Sequence, residues 1–241
     1  MKHFLITRFN VPFEDFSRDK TGVETLGDDW LAHRFELFEK ICLPSVKNQS
    51  NQDFIWLIYF GAQTTSVFRD RIAKHQSDYA NIKPIYVKDM DEFYSSLVKD
   101  ISPHLVPSDE ELITSRMDND DLIHRDFIKT IQSLAKAKGK YLIDLTKGYQ
   151  MNIEGKVDVV SKQYNPFVSL KEHASSFETV MAQKHGKWSG LVDRTKYKKE
   201  KLWVQIIHDK NVHNHFKKRL FFQKKIHLPD FGIESLPNLS S

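Results

Sequence analysis

The run Phe54-Ile55-Trp56-Leu57-Ile58-Tyr59-Phe60, closed by Gly61, constrains the fold more than any other stretch. Seven apolar residues in a row cannot alternate between a core face and a wet face. Such a strand is covered on both sides, as in a parallel sheet with helices above and below. Phe4-Leu5-Ile6 reads as a second buried strand whose carboxyl end, Thr7-Arg8-Phe9-Asn10, carries polar groups. Leu31, Phe35, Phe38 and Cys42 fall at i, i+4, i+7 and i+11, a helical stripe widened by Leu37 and Ile41. Asp28 or Asp29 can cap this helix, and Pro44 interrupts or follows it. Ile82 to Val87, Leu112 to Thr114 and Lys140 to Leu145 read as further strands, separated by helical stretches over about 65–80, 90–101 and 124–137.

This alternation implies an α/β fold with a mostly parallel central sheet flanked by helices. After about residue 146 the rhythm breaks into short strands, such as Val157 to Ser161, and turns. That part reads as an irregular C-terminal extension of one domain over 1–228, with the tail 229–241 loosely held. A composition of 40% hydrophobic and 28% charged residues over 241 positions suits a globular chain with a substantial core and excludes a disordered or fibrous one. The single cysteine, Cys42, excludes a disulfide framework and a cysteine-rich zinc cluster, and its place on the stripe predicts a buried thiol. No 18 consecutive apolar residues occur, and the opening apolar run is too short for a secretory signal, so the cytoplasm is the default compartment.

The net charge of +4 is uneven. Ten Lys or Arg against two acids lie between Lys196 and Lys225, a segment that can attract nucleic acid, anionic lipid or a phosphorylated ligand. Acids dominate from Asp89 to Asp126. The most specific local signal is Met117-Asp118-Asn119-Asp120-Asp121, after a predicted strand and before a predicted helix. Ligands of open α/β sheets bind outside the carboxyl ends of strands. Three carboxylates there repel one another unless compensated, and Mg²⁺ or Mn²⁺ is a usual compensator that leaves positions open for phosphate. In an extended segment Asp118 and Asp120 point the same way and could reach one ion. The alternative is that Asn119, Asp120 and Asp121 only cap the next helix.

The order of elements together with this Asp-x-Asp resembles the GT-A class of nucleotide-sugar glycosyltransferases, and more closely the bacterial putative rhamnosyltransferase family. The matching pieces are Thr7-Arg8-Phe9-Asn10, Arg34 with Leu37-Phe38-Glu39, Leu43-Pro44-Ser45 with Gln49 and Gln52, Phe54-Ile55-Trp56, Thr114 to Asp121, Pro166 to Leu170, and Trp203 to His208. The resemblance implies a GT-A-like (Rossmann-like) fold, with a nucleotide-binding half over 1–146 and an acceptor-side extension over 147–228. It implies a metal-dependent transferase that moves a sugar, by the family's name rhamnose, from a nucleotide-sugar donor to a glycan or lipid-linked acceptor in surface polysaccharide synthesis. The basic segment would then hold the enzyme against an anionic membrane at its inner face. One departure is plain: GT-A enzymes commonly carry an acid at the end of the second strand, where this chain reads Phe60-Gly61-Ala62-Gln63.

Under this resemblance Asp118 and Asp120 bind Mn²⁺ or Mg²⁺, and His208, at the end of an apolar run, completes the metal shell. Arg8, Asn10, Arg116 and Lys210 are the candidates for the nucleotide and its diphosphate, with an ion pair to the acids as the alternative for Arg116. Glu172 and Asp193 are the candidates for a general base at the acceptor hydroxyl. Trp188 and Trp203 are either sugar-stacking or core residues. Two other classes compete. A nucleic-acid-binding protein or metal nuclease would use the basic run with Trp203, Phe216, Phe221, Phe222, His208, His213 and His215. A catalytically silent nucleotide-sugar-binding domain would use the same site without turnover.

Overall fold

Two sheets carry the fold in the computed structural model, which describes residues 1–13, 27–152, 154–207 and 226–236. The first has seven strands: β1 (Lys2–Arg8), β2 (Ile55–Gly61), β3 (Ile82–Val87), β4 (Glu111–Arg116), β6 (Tyr141–Leu145), β9 (Ser169–His173) and β10 (Asp193–Tyr197). Their order is β10-β6-β9-β4-β1-β2-β3. All pairings are parallel except those of β9, which runs antiparallel to both β4 and β6. The second sheet has the order β5-β11-β7-β8, from β5 (Leu122–Ile123), β7 (Lys147–Asn152), β8 (Val157–Ser161) and β11 (Trp203–Ile207).

The apolar run that became β2 is covered on both faces. Trp56, Ile58 and Phe60 enter one layer, beneath α1 (Asp28–Leu37), α2 (Leu43–Lys47), α3 (Ser66–Asp78) and α5 (Phe127–Leu134). Leu57 and Tyr59 enter the other, beneath α4 (Met90–Ile101). The helical stripe does not stop at Pro44. A wider, π-type turn over Phe38–Cys42 joins α1 to α2. Such a turn accommodates a proline that has no N–H to give and would crowd the carbonyl four residues back. No helix among the described residues is long and apolar enough to cross a membrane.

The extension after residue 146 is more ordered than its sequence suggests. Gly148 leaves room for the Trp203 ring, which a Cβ there would meet at 2.1 Å. Trp203 in turn stacks on Phe167, with ring centroids 4.9 Å apart, and donates its indole N–H to the Leu145 carbonyl at 2.6 Å. The second sheet closes over Leu37, Ile41, Leu122, Met151, Val204 and Ile206. Phe231 and Ile233 complete that cluster, so the segment from Pro229, predicted to hang loosely, is anchored by two buried side chains. Residues 237–241 lie outside the described residues.

Candidate active site

β1 is the strand at which the sheet reverses its winding: β2 and β3 lie on one side of it and β4 on the other. Open α/β sheets present their ligand crevice outside the carboxyl ends of strands at such a point. Two guanidinium groups stand there. Arg116 ends β4 and pairs in register with Ile6, so Arg8 lies two residues further out on β1. Arg8 contacts the Met90 sulfur at 3.4 Å and sits 6.0 Å from the Phe13 ring centre. The Arg116 Nε is buried without a hydrogen-bond partner among the described residues. Burial lowers the pKa of Arg116, as does the nearby Arg8 charge, while Asp118 opposes the shift.

The acidic motif follows directly. Met117 N–H donates to the Ile6 carbonyl at 3.1 Å, carrying the β1–β4 ladder one step past the strand. The chain then turns through Asn119 and Asp120, and Asp121 N–H reaches back to the Asp118 carbonyl at 3.4 Å. The extended geometry expected here, with Asp118 and Asp120 side by side, is therefore not adopted. Asp118 is partly exposed, whereas Asn119, Asp120 and Asp121 are buried.

The buried acids have partners. Arg34, from α1, bonds Asp120 at 2.7 Å, also reaches the Asn119 side-chain oxygen, and lies 5.5 Å from the Trp30 ring centre. Asp121 Oδ1 accepts the Ile206 N–H at 2.9 Å, which ties the loop to β11. Burial, reinforced by Asp120 and then Asp118, drives the Asp121 pKa well above the carboxylate range. Cys42 lies beneath the loop, with its thiol 3.9 Å from the Asp118 carbonyl, and burial pushes its pKa up, as expected of a structural thiol.

The guanidinium of Arg34 offsets the charge of Asp120, part of the crowding that suggests a cation in the sequence. Among the described residues no group of three or more His, Cys, Asp or Glu is arranged to hold a metal ion. Of the expected Asp118, Asp120 and His208 set, Asp120 pairs with Arg34 and Asp118 is partly exposed. His208 and Lys210 lie outside the described residues.

Two expected catalytic residues are at the wrong end of the sheet. Glu172 pairs in register with Leu112, four residues before Arg116, which places it about 13 Å back along the strand. Its side chain is fully buried and accepts the backbone N–H groups of Glu178 and Thr179 at 3.1 and 2.9 Å, with Lys140 at 3.3 Å. It pins the turn at Thr179, whose φ of 75 is uncommon for a β-branched residue. Asp193 pairs with Tyr141, which is level with Lys171 and Ile113, at the same amino-terminal edge and three strands away from β4. Neither can reach a ligand held by Arg116.

Asn10 sits in the right place but is already engaged. Its amide donates to Thr64 Oγ at 3.0 Å and accepts Gly61 N–H at 3.1 Å, fastening the ends of β1 and β2 together. Trp188 and Trp203 are core residues, each 1% exposed. Arg34 is the residue to which the sequence assigns no role. The available signal was a charge flanked on the buried stripe by Leu31, Phe35 and Phe38, which calls for an acid from elsewhere in the chain.

The sequence profile of the family described as Putative rhamnosyl transferase matches residues 2–219. No curated protein matches the chain. Among solved structures, S. aureus TarS 1-349 in complex with UDP-GlcNAc shares 10% identity, with a TM-score of 0.51 over 88% of this chain and 60% of that one. A putative nucleotide-diphospho-sugar transferase from Desulfovibrio desulfuricans G20 shares 9% identity, with a TM-score of 0.42 over 87% of this chain and 82% of that one. The chain spans about 60% of the length of the TarS 1-349 structures it matches. The likeness to TarS places the chain among GT-A-type folds.

Proposed function

The chain belongs to the Putative rhamnosyl transferase family, and from that premise we propose that it transfers a sugar from a nucleotide-sugar donor whose diphosphate sits in the crevice between β1 and β4. The observation that carries this reading is the pair Arg8 and Arg116. Two guanidinium groups share the switch point, and one has a buried Nε with no partner among the described residues. A diphosphate supplies what that arrangement lacks, several acceptor oxygens and negative charge, through charge-assisted hydrogen bonds. To Asp118, the partly exposed acid of the motif, we assign the acceptance of hydroxyl hydrogen bonds from the donor. Arg34 acts one step behind it, by fixing Asp120 and Asn119 so that the loop holds its shape.

The departing nucleoside diphosphate gathers negative charge as the glycosidic bond breaks, and fixed positive groups at its oxygens lower the barrier to departure. We assign rhamnose, the family's named sugar, as the transferred group, and a glycan or lipid-linked molecule as the acceptor. Exposed Lys196, Lys198 and Lys199, at the start of the basic segment, would favour an anionic membrane surface. The nucleic-acid reading loses a stacking residue, since Trp203 is interior.

The test is calorimetric binding of UDP, GDP and dTDP, with and without Mn²⁺, to the wild type and to Arg8→Met and Arg116→Met. Loss of a charge-assisted contact worth about 1.5–3 kcal/mol weakens binding roughly 10- to 150-fold. Unchanged affinity in both variants overturns the assignment. A dependence on Mn²⁺ that Asp118→Asn abolishes would restore the metal role of that residue.

A further inference from the structure

Glu172 and Asp193 lie at the far edge, and the described residues contain a different group at the correct edge. His185 begins a short 3-10 turn, His185–Trp188. Its Nδ1 lies 2.5 Å from the Tyr164 carbonyl oxygen. A carbonyl only accepts, so the Nδ1 carries the proton and Nε2 keeps its lone pair. Tyr164 holds this carbonyl in place with a backbone φ of 51, in the left-handed region. The strain is sustained by three contacts: Tyr164 N–H donates to Asp144 at 2.9 Å, Asn165 bonds the same carboxylate at 3.0 Å, and the Arg194 guanidinium covers the Tyr164 ring at 4.0 Å. An unfavourable backbone held by its surroundings is a frequent mark of a positioned functional group.

The 162–168 segment lies at the carboxyl edge, because Ser169 of β9 pairs with Ser115 and Val168 accepts the Arg116 N–H at 3.4 Å. The charges that act on His185 are Arg116, Lys162 and Asp118, which include two residues of the proposed donor site. The imidazole is partly exposed. Burial, then Arg116 and Lys162, hold its pKa below the ordinary histidine value against the opposing Tyr164 hydrogen bond and Asp118, so the ring is neutral near pH 7.

We infer that His185 is the general base of the transfer, taking the proton of the acceptor hydroxyl on Nε2. The inference rests on the donor reading above. As the acceptor O–H bond breaks, its proton moves to Nε2 and its oxygen bonds the anomeric carbon. The bond from that carbon to the diphosphate oxygen breaks with its electron pair staying on the diphosphate. The imidazolium then returns its proton to solvent. Attack opposite the leaving group makes this a single displacement with inversion at the anomeric carbon.

The experiment uses the full chain, with UDP-N-acetylglucosamine and dTDP-rhamnose as donors, water as the acceptor, and His185→Gln, which removes the imidazole. Release of nucleoside diphosphate should fall at least about 100-fold, in line with the loss of a general base. UDP and dTDP affinities should stay within about threefold, and the acidic limb of the pH–rate profile should vanish. A smaller fall in rate, or survival of that limb, overturns the inference. ¹⁵N NMR of the histidine rings provides a readout independent of turnover: the resonance lost in His185→Gln should show a protonated Nδ1 and a bare Nε2 at pH 7, and the opposite tautomer overturns the inference. If the wild type binds no nucleoside diphosphate, the donor reading fails, while the tautomer still decides whether His185 presents a free lone pair.

Discussion

Arg34→Met tests whether a guanidinium organises the acidic loop. The substitution keeps an unbranched stem beside Trp30 and removes the charge. In the wild type the Arg34 and Asp120 side chains are 12% and 6% exposed and 2.7 Å apart. Without Arg34, Asp120 loses its guanidinium counter-charge in a nearly dry site beside Asp121, whose own pKa is already driven up. Breaking one side of a buried ion pair costs about 3–5 kcal/mol. At roughly 2–4 °C per kcal/mol for a chain of this length, the melting temperature should fall by about 6–20 °C. Urea unfolding at neutral pH measures the loss directly. Arg34→Met/Asp120→Asn should recover part of it, with a coupling energy of about 1–3 kcal/mol in the double-mutant cycle. A single-variant loss under about 1 kcal/mol, or strictly additive effects, would refute the reasoning. A loop held by a cation makes the contrary prediction, that Mn²⁺ stabilises the wild type and Arg34→Met equally.

Three further outcomes are expected. Buried His3, with its Nε2 2.7 Å from Ser115 Oγ, titrates at about 3 in the folded chain against 6.5 when exposed. The folded state takes up that proton less readily than the unfolded one, so the contribution is complete above pH 6.5 and is lost as pH falls towards 3, at about 1.4 kcal/mol per pH unit. Between pH 6.5 and 4.5 wild-type stability should drop about 3 kcal/mol further than that of His3→Gln, and parallel urea curves would contradict this. Glu172→Gln should lower stability by about 1–3 kcal/mol through its backbone contacts while leaving turnover within about threefold, so a 100-fold loss of turnover would return the base to Glu172. Gly148→Ala drives a methyl into the Trp203 ring and should cost about 1–3 kcal/mol, read as a lower urea midpoint; an unchanged midpoint would show that the ring can move aside.

What the sequence made legible was set by periodicity. The uninterrupted apolar run of β2 and the stripe from Leu31 to Cys42 announce their own environments, because burial on both faces, or on one helical face, dictates residue type directly. β9 does not. Ser169-Leu170-Lys171-Glu172-His173 looks like a surface segment, yet four of its five residues are buried. Lys171 is matched by Glu111 and the Ala137 carbonyl, and Glu172 by backbone N–H groups and Lys140. Partners distant in sequence make that strand possible, and local pattern cannot report them. The same limit applies to the site. Asp118 to Asp121 stood out as a cluster, but the identity of its compensating charge depended on Arg34, 86 residues away. The acidity of Glu172 and Asp193 was readable, whereas their edge of the sheet followed from strand direction alone.

The antiparallel insertion of β9 also bears on how such enzymes can be recombined. β6 and β10 are joined to β4 through β9 alone, and that strand comes from the later part of the chain. A hybrid made by crossover near residue 146 would have to re-form the β4–β9 seam between foreign sequences. Where the seam failed, Glu111–Arg116 would become an open edge, with its amides ready to recruit strands from neighbouring molecules. Exchanges are therefore better attempted within segments that leave this seam intact than by joining whole pieces.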